Sequence, residues 1–133
     1  MAKQTGQCLC GGIKFEITGE LAQPHACHCT QCVKQSGHFA VSTHVKRVDF
    51  KLTEEKGLKW YQSSDYARRG FCQDCGSAIF WDGGDDDMYI SMGSLEGSTG
   101  LKVANHIFVD EKPDHYEISV DLPKFASFDQ PLD

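Results

Sequence analysis

The chain has 133 residues, of which 40% are hydrophobic and 24% charged, and its formal net charge is −6 at pH 7. This length predicts a single domain over residues 1–133, with its core over about 7–125 and a loosely held tail over 126–133. The composition argues against disorder in any large part of the chain. Nucleic acid and anionic membrane surfaces are disfavoured as partners, because a negative protein repels both.

Nothing in the sequence predicts a membrane span or a secretory signal. No apolar run reaches the roughly 18 residues that a membrane helix needs, and the start, MAKQTGQC, lacks the apolar stretch of a signal peptide. We therefore expect a cytoplasmic protein. Thiols stay reduced in the cytosol, so clustered cysteines there hold metal ions more often than they form disulfides. The seven cysteines also fit a disulfide framework poorly, because one would be left over.

Short strands separated by turns rich in glycine are predicted along most of the chain. In the first of them, Ile13, Phe15 and Ile17 recur at period two and would share one face of a strand. We predict seven to ten short strands in one antiparallel, all-β domain. In chain order the main strand candidates are GIKFEIT at 12–18, RVDFKL at 47–52, SAIFW at 77–81, MYISMG at 88–93 and HYEISVDL at 115–122.

One helix and one acidic loop are predicted between these strands. The helix is a short turn from about Thr30 to Ser36, with Thr30 as its N-cap and Gly37 as its C-terminal stop. The segment DGGDDDM at 82–88 is interpreted as a solvated hairpin tip, because its carboxylates lack the ligand spacing of a calcium-binding loop.

Four cysteines form two matched pairs that are far apart in the sequence. Cys8 and Cys10 form C-x-C, Cys72 and Cys75 form C-x-x-C, and each pair is followed by glycine, which allows a tight turn. Four thiolates make a closed, structural zinc site, which would tie the N-terminal strand to the middle of the chain. Buried free cysteines or a redox pair are the alternatives.

The remaining cysteines, Cys27, Cys29 and Cys32, form C-x-C-x-x-C. Three thiolates can hold a second zinc and leave one coordination position open, which is the arrangement of catalytic zinc. A nearby histidine would make the site structural if it closed that position, although hydrogen bonding around the site is the commoner role. A redox-active trio is a further alternative. The histidines in question are His25, His28 and His38.

Five motifs in this order resemble the glutathione-dependent formaldehyde-activating enzyme / centromere protein V family. The resemblance spans residues 8–125 and accounts for all seven cysteines. One departure is His115, where many members have tryptophan. The motifs are CLCGGIKFEI at 8–17, CHCTQCVKQSGHFA at 27–40, RRGFCQDCGSAIFW at 68–81, SMGSL at 91–95 and HIFVDEKPDHYEI at 106–118.

This resemblance implies an all-β fold of the β-tent type with two zinc ions per chain. It places Cys8, Cys10, Cys72 and Cys75 on a structural zinc. It also places Cys27, Cys29 and Cys32 on a second zinc at the active site.

The activity implied by the resemblance is that of a carbon–sulfur lyase, which joins glutathione to formaldehyde and gives S-hydroxymethylglutathione. A small thiol would thus be the partner, while the sequence identifies neither a general base nor an oligomeric state. The alternative is a non-catalytic binding module stapled by zinc on the same fold. Glutathione carries two carboxylates, so cationic side chains are expected in its pocket. The candidates, for which ordinary solvated surface charge is the favoured alternative, are Lys34, Lys46, Arg47, Arg68 and Arg69.

Overall fold

The computed structural model describes residues 4–118 and 121–128. No helix in these two ranges has the length and apolar character to cross a membrane. They contain ten short strands, one α-helix and three single-turn 3-10 helices. The strands are β1 Gln4–Gln7, β2 Lys14–Ile17, β3 His25–Cys27, β4 Ala40–Lys46, β5 Phe50–Glu54, β6 Leu58–Gln62, β7 Arg68–Cys72, β8 Ala78–Asp82, β9 Asp87–Ser91 and β10 Asn105–Ile107. The α-helix, α1, spans Thr30–Ser36, and the 3-10 helices span Arg47–Asp49, Met92–Ser94 and Val109–Glu111. The predicted all-β class with one short helix is confirmed.

The chain divides into two compact units, and β4 contributes residues to both of them. The larger unit consists of Met1–Ala22 and Thr43–Gly100, and the smaller unit of Gln23–Ser42 and Leu101–Asp133. A single domain over the whole chain stays a prediction. The predicted tail at 126–133 lies largely outside the described residues.

The larger unit has its core on the inward face of β2. Ile13, Phe15 and Ile17 are buried, as their period of two predicts. Phe15 packs against Phe50 and Phe80, with ring centroids 5.7 and 5.5 Å away. In this unit β1, β2 and β5 form an antiparallel sheet in that order, and β9, β8, β7 and β6 are antiparallel neighbours in that order.

The smaller unit places β3 between β10 and the first residues of β4. Strand β3 is antiparallel to β4 but parallel to β10, so the expectation of a purely antiparallel domain is wrong at this pair. The pairing joins His25 to Asn105 and Cys27 to Ile107. A parallel pair requires a long connection between its strands, and here residues 28–104 form that connection.

The N-cap of helix α1 lies one residue before the predicted position. It covers the predicted range and ends at Gly37, whose φ of 84° is left-handed. The N-cap is Cys29 rather than Thr30: Cys29 has extended backbone angles, and its sulfur accepts the N–H of Cys32 at 3.3 Å. The helix start and the cysteine motif are therefore one structural feature.

Two predicted strand segments differ in the structure. Val48 is 91% exposed and lies in a 3-10 turn, so the alternation in RVDFKL holds only from Phe50 onward. The described parts of HYEISVDL, residues 115–118 and 121–122, are not strands, and residues 119–120 lie outside the described ranges. The Lys112 ammonium donates hydrogen bonds to the carbonyls of Pro113 and Tyr116. These two backbone acceptors are therefore paired without a neighbouring strand.

The acidic hairpin tip is only partly solvated, because Asp82 is buried at the end of β8. Its carboxylate accepts hydrogen bonds from Arg47 at 2.9 Å, from Arg68 at 3.1 Å and from the Gly84 N–H at 2.9 Å. Burial acts to raise the pKa of Asp82, but these donors outweigh it and hold that pKa below its usual value. The prediction of a solvated loop was wrong for this carboxylate, which has a structural role.

Candidate metal centres

The larger unit brings Cys8, Cys10, Cys72 and Cys75 together, with their four sulfurs within 4.8 Å of one another. The Cys8 and Cys10 sulfurs are 3.8 Å apart, and those of Cys10 and Cys72 are 3.6 Å apart. Zinc–sulfur bonds of about 2.3 Å in a tetrahedron give a sulfur–sulfur separation of about 3.8 Å. The donor set therefore fits a tetrahedral metal ion of this kind.

Two tight turns hold these sulfurs. In the first, the Ile13 N–H donates to the Cys8 sulfur at 3.2 Å, and Gly11 adopts a φ of 82°. In the second, Gly76 adopts a φ of 80° and donates its N–H to the Cys72 carbonyl at 2.8 Å. Both turns require backbone angles that glycine adopts without strain, as the glycines after each pair predict.

Gly57 is a third structural element of the four-cysteine cluster, and sequence analysis missed it. A Cβ at this position would lie 2.8 Å from the Cys72 sulfur. The Gly57 N–H donates to Gly12 at 2.9 Å, and its carbonyl accepts from Gln73 at 2.8 Å. The residue thus links both cysteine turns, and no cysteine spacing or turn signal distinguishes it from other glycines.

The thiol pKa values in this cluster move in opposite directions. The Ser77 hydroxyl, 3.2 Å from the Cys75 sulfur, and the Ser77 N–H lower the pKa of Cys75 to about 5. The Gly12 N–H acts to lower the pKa of Cys10, but the Cys72 sulfur and burial outweigh it and raise that pKa to about 12. Several thiolates crowded in one place repel one another, so a cation is needed before all four can ionise.

The smaller unit brings Cys27, Cys29 and Cys32 together, again with all sulfurs within 4.8 Å. Cys27 ends β3, while Cys29 and Cys32 belong to the first turn of α1. Cys27 and Cys32 are buried and Cys29 is half-buried. The sulfurs of Cys29 and Cys32, together with burial, raise the pKa of Cys27 well above its ordinary value. This donor set, too, fits a cation that compensates three thiolates.

Apolar residues of the β10 segment pack on the three-cysteine cluster. The buried Ile107 contacts Cys27 and Cys32, and its carbonyl accepts the His28 N–H at 3.0 Å. The next residue, Phe108, packs against the same cluster and has a left-handed φ of 55°. Such a conformation costs a non-glycine residue on the order of 1 kcal/mol, which the surrounding packing must offset.

The three histidines near this cluster direct ring nitrogens to partners other than sulfur. His28 is fully buried; its Nδ1 is 2.6 Å from the Tyr116 hydroxyl and its Nε2 is 2.9 Å from Nδ1 of His106. His25 Nε2 is 3.4 Å from the Ser42 hydroxyl, and His38 Nδ1 is 3.2 Å from His115 Nε2. In the described ranges, the group of potential metal ligands here consists of the three cysteines.

Tyr116, His28 and His106 form a hydrogen-bonded chain. Burial, and then the charge of His106, lower the pKa of His28 to about 4, so its ring is neutral near pH 7 and has one donor and one acceptor. When Nδ1 is the donor, the Tyr116 oxygen accepts, and its own hydrogen is directed to another group. Burial, followed by the nearby Cys27, raises the pKa of Tyr116 and keeps it protonated. Sequence analysis gave Tyr116 and His106 no role, because their pairing with His28 depends on the tertiary fold.

Four of the five cations predicted to line a glutathione pocket belong to the larger unit. Arg47 and Arg68 bind Asp82, and Lys46 lies 3.7 Å from Asp87. Arg69 is buried within β7. Only Lys34, exposed on α1, belongs to the same unit as the three-cysteine cluster.

The fold and the two clusters define a class: a β protein with one four-cysteine and one three-cysteine group, each arranged to hold a metal ion. The profile of the family described as glutathione-dependent formaldehyde-activating enzyme matches residues 3–111. The chain belongs to this family, which confirms the resemblance and supports the lyase class at the level of the family.

Individual relatives agree with this membership. The chain is 25% identical over 122 residues to an uncharacterized lyase of Schizosaccharomyces pombe, covering 90% of this chain and 88% of that protein. It is 34% identical over 77 residues to a Phaeosphaeria nodorum protein provisionally named a glutathione-dependent formaldehyde-activating enzyme; this covers 55% of the chain and 40% of that protein. The crystal structure of a Rhodobacter sphaeroides protein shares the fold, with a TM-score of 0.61 and 23% identity over 71% of this chain and 90% of that one.

Proposed function

We propose that this chain is a zinc-dependent carbon–sulfur lyase that joins a small thiol to an aldehyde, with glutathione and formaldehyde as the pair. Cys27, Cys29 and Cys32 hold the zinc of the active site. Cys8, Cys10, Cys72 and Cys75 hold a structural zinc, and two zinc ions are bound per chain. The reduced thiols that these sites need favour a cytoplasmic location. The observation that carries the proposal is the three-sulfur cluster, whose neighbouring histidines are engaged elsewhere.

The proposed reaction is an addition without net oxidation. The thiol sulfur forms a bond to the aldehyde carbon, the C=O π bond breaks, the sulfur loses its proton and the oxygen gains one. A zinc held by Cys27, Cys29 and Cys32 would supply a soft Lewis acid that lowers the pKa of an incoming thiol. Lys34, exposed on α1 two residues after Cys32, is the cation we assign to a carboxylate of glutathione.

Tyr116 is the residue that we assign to the aldehyde oxygen. Its hydroxyl can donate to that oxygen when His28 donates to the tyrosine, and His106 fixes the orientation of His28 through its ring nitrogen at 2.9 Å.

Tyr116→Phe is expected to lower kcat by about 10-fold to 100-fold, within the range of a lost proton donor. KM for the thiol and the zinc content should stay close to wild type. A lowered zinc content, or unchanged kcat, would contradict this role.

The proposal is tested by titrating the cobalt-substituted protein with glutathione and with S-methylglutathione. Glutathione is expected to add a sulfur-to-metal charge-transfer band, because its thiolate is a soft ligand, whereas the methylated sulfur cannot ionise. Cys29→Ser, which removes a ligand from this cluster alone, is the control and should abolish the change. An unchanged spectrum with glutathione, or equal changes with both compounds, would overturn the proposal and favour a non-catalytic binding module.

A further inference from the structure

An exposed pair of histidines lies outside the two cysteine clusters. His38 follows the glycine that ends α1, and His115 lies in the segment after the last 3-10 helix. Nδ1 of His38 faces Nε2 of His115 at 3.2 Å. Of the six histidines in the chain, these two are exposed, while the other four are buried or half-buried.

The separation of the two nitrogens matches that of two imidazole ligands on one metal ion. With metal–nitrogen bonds of about 2.0–2.1 Å and tetrahedral angles, two ligand nitrogens lie about 3.3 Å apart. A hydrogen-bonding proton lies on the line between the two nitrogens, whereas a chelated ion lies to one side of it, so each exposed ring must turn to direct its lone pair at the ion while the nitrogens keep their separation. Each ring then carries its proton on its other nitrogen, as a neutral imidazole ligand requires.

Packing holds both rings before any ion arrives. The His38 ring lies 4.4 Å from the rings of Phe39 and Tyr116, and the His115 ring lies 4.7 Å from that of Tyr116. This restricts both side chains and lowers the entropy cost of chelation. The nearest cation in sequence, Lys112, is bound to two backbone carbonyls, and Asp114 adjoins His115 with the opposite charge.

We propose that His38 and His115 form a binding site for a divalent transition-metal ion of the kind that imidazole prefers, such as Ni²⁺, Cu²⁺ or Zn²⁺. The two histidines supply two ligands, and water supplies the others, since both residues are exposed. This site shares no ligand with the cysteine clusters, and both of its rings pack against Tyr116, the residue assigned above to the aldehyde oxygen.

The test is a calorimetric titration of the untagged, zinc-loaded protein with Ni²⁺, with released zinc measured in parallel. Wild type is expected to bind one Ni²⁺ without releasing zinc. His38→Gln and His115→Gln are each expected to weaken this binding about tenfold or more, because a single imidazole cannot chelate. His44→Gln is the matched control: that ring is half-buried and packs on Tyr89 at 4.8 Å, so its loss should leave Ni²⁺ affinity unchanged.

Ni²⁺ affinity in both His38→Gln and His115→Gln within twofold of wild type would overturn the proposal, as would Ni²⁺ uptake matched by an equal release of zinc. Equal weakening by His44→Gln would also overturn it, since the effect would then not belong to this pair. Circular dichroism and melting temperature show whether each variant is folded. Since both residues are exposed, a tolerated substitution is expected at each.

Discussion

Cys72→Ser is expected to abolish most of the soluble, folded protein. The Cys72 side chain is fully buried, and its sulfur lies 3.6 Å from the Cys10 sulfur and close to Gly57. Serine would remove one of four ligands and leave three crowded thiolates without adequate compensation. Structural zinc supplies folding free energy on the order of 10 kcal/mol in small metal-dependent domains, which is comparable to the whole stability of an ordinary domain, about 5–15 kcal/mol. Soluble yield, zinc content and thermal melting measure the effect.

Ser77→Ala is a matched control for this substitution. It removes the hydroxyl 3.2 Å from the Cys75 sulfur but no ligand, so the protein should remain folded with its zinc bound. The structural role of the four-cysteine cluster would be refuted if Cys72→Ser melted within about 2 °C of wild type, a shift worth well under 1 kcal/mol.

Cys29→Ser is expected to lower activity by more than about 100-fold, the upper end of the loss seen when only an outer hydrogen-bond partner of a ligand is removed. Zinc content should fall by about one equivalent per chain. The fold should be retained, because the Cys29 sulfur caps α1 by accepting the Cys32 N–H, and serine is among the preferred N-cap residues. Activity with glutathione and formaldehyde, metal analysis and circular dichroism measure the three effects.

Cys29→Ala separates the two roles of this sulfur. Alanine removes both the ligand and the cap, so it should cost about 1 kcal/mol more stability than serine while losing a similar share of activity. If Cys29→Ser unfolds as completely as Cys72→Ser, the three-cysteine cluster is a second structural staple and the enzymatic proposal fails.

The sequence predicted the features that depend on local spacing. Ile13, Phe15 and Ile17 are buried because alternate residues of a strand share a face, and Gly37 ends α1 because glycine adopts left-handed angles readily. Convergence within each cysteine motif also followed from spacing, since ligands two or three residues apart converge in a tight turn. The union of the Cys8/Cys10 pair with the Cys72/Cys75 pair is a long-range contact, predicted instead from the four ligands that a closed zinc site needs.

Features that depend on distant contacts were missed. The burial of Asp82 requires two arginines from other segments, so a run of acidic residues alone resembles a solvated loop. Apolar and polar residues alternate around Tyr116 as they do in a strand, but residues 115–118 do not form one. The Tyr116 hydroxyl instead forms a hydrogen bond with His28. An alternating sequence shows which side chains are apolar. It contains no information about whether a neighbouring strand is present to pair with the segment.

The parallel pairing of β3 with β10 sets an order for assembly on the ribosome. Cys27, Cys29 and Cys32 emerge close together, whereas β10 and Tyr116 emerge only after the long intervening segment has been synthesised. A nascent chain therefore exposes three metal-binding thiols well before Ile107, His106 and Tyr116 arrive to surround them. A metal ion captured at that time would be held by the three thiols before the residues that later surround them are in place.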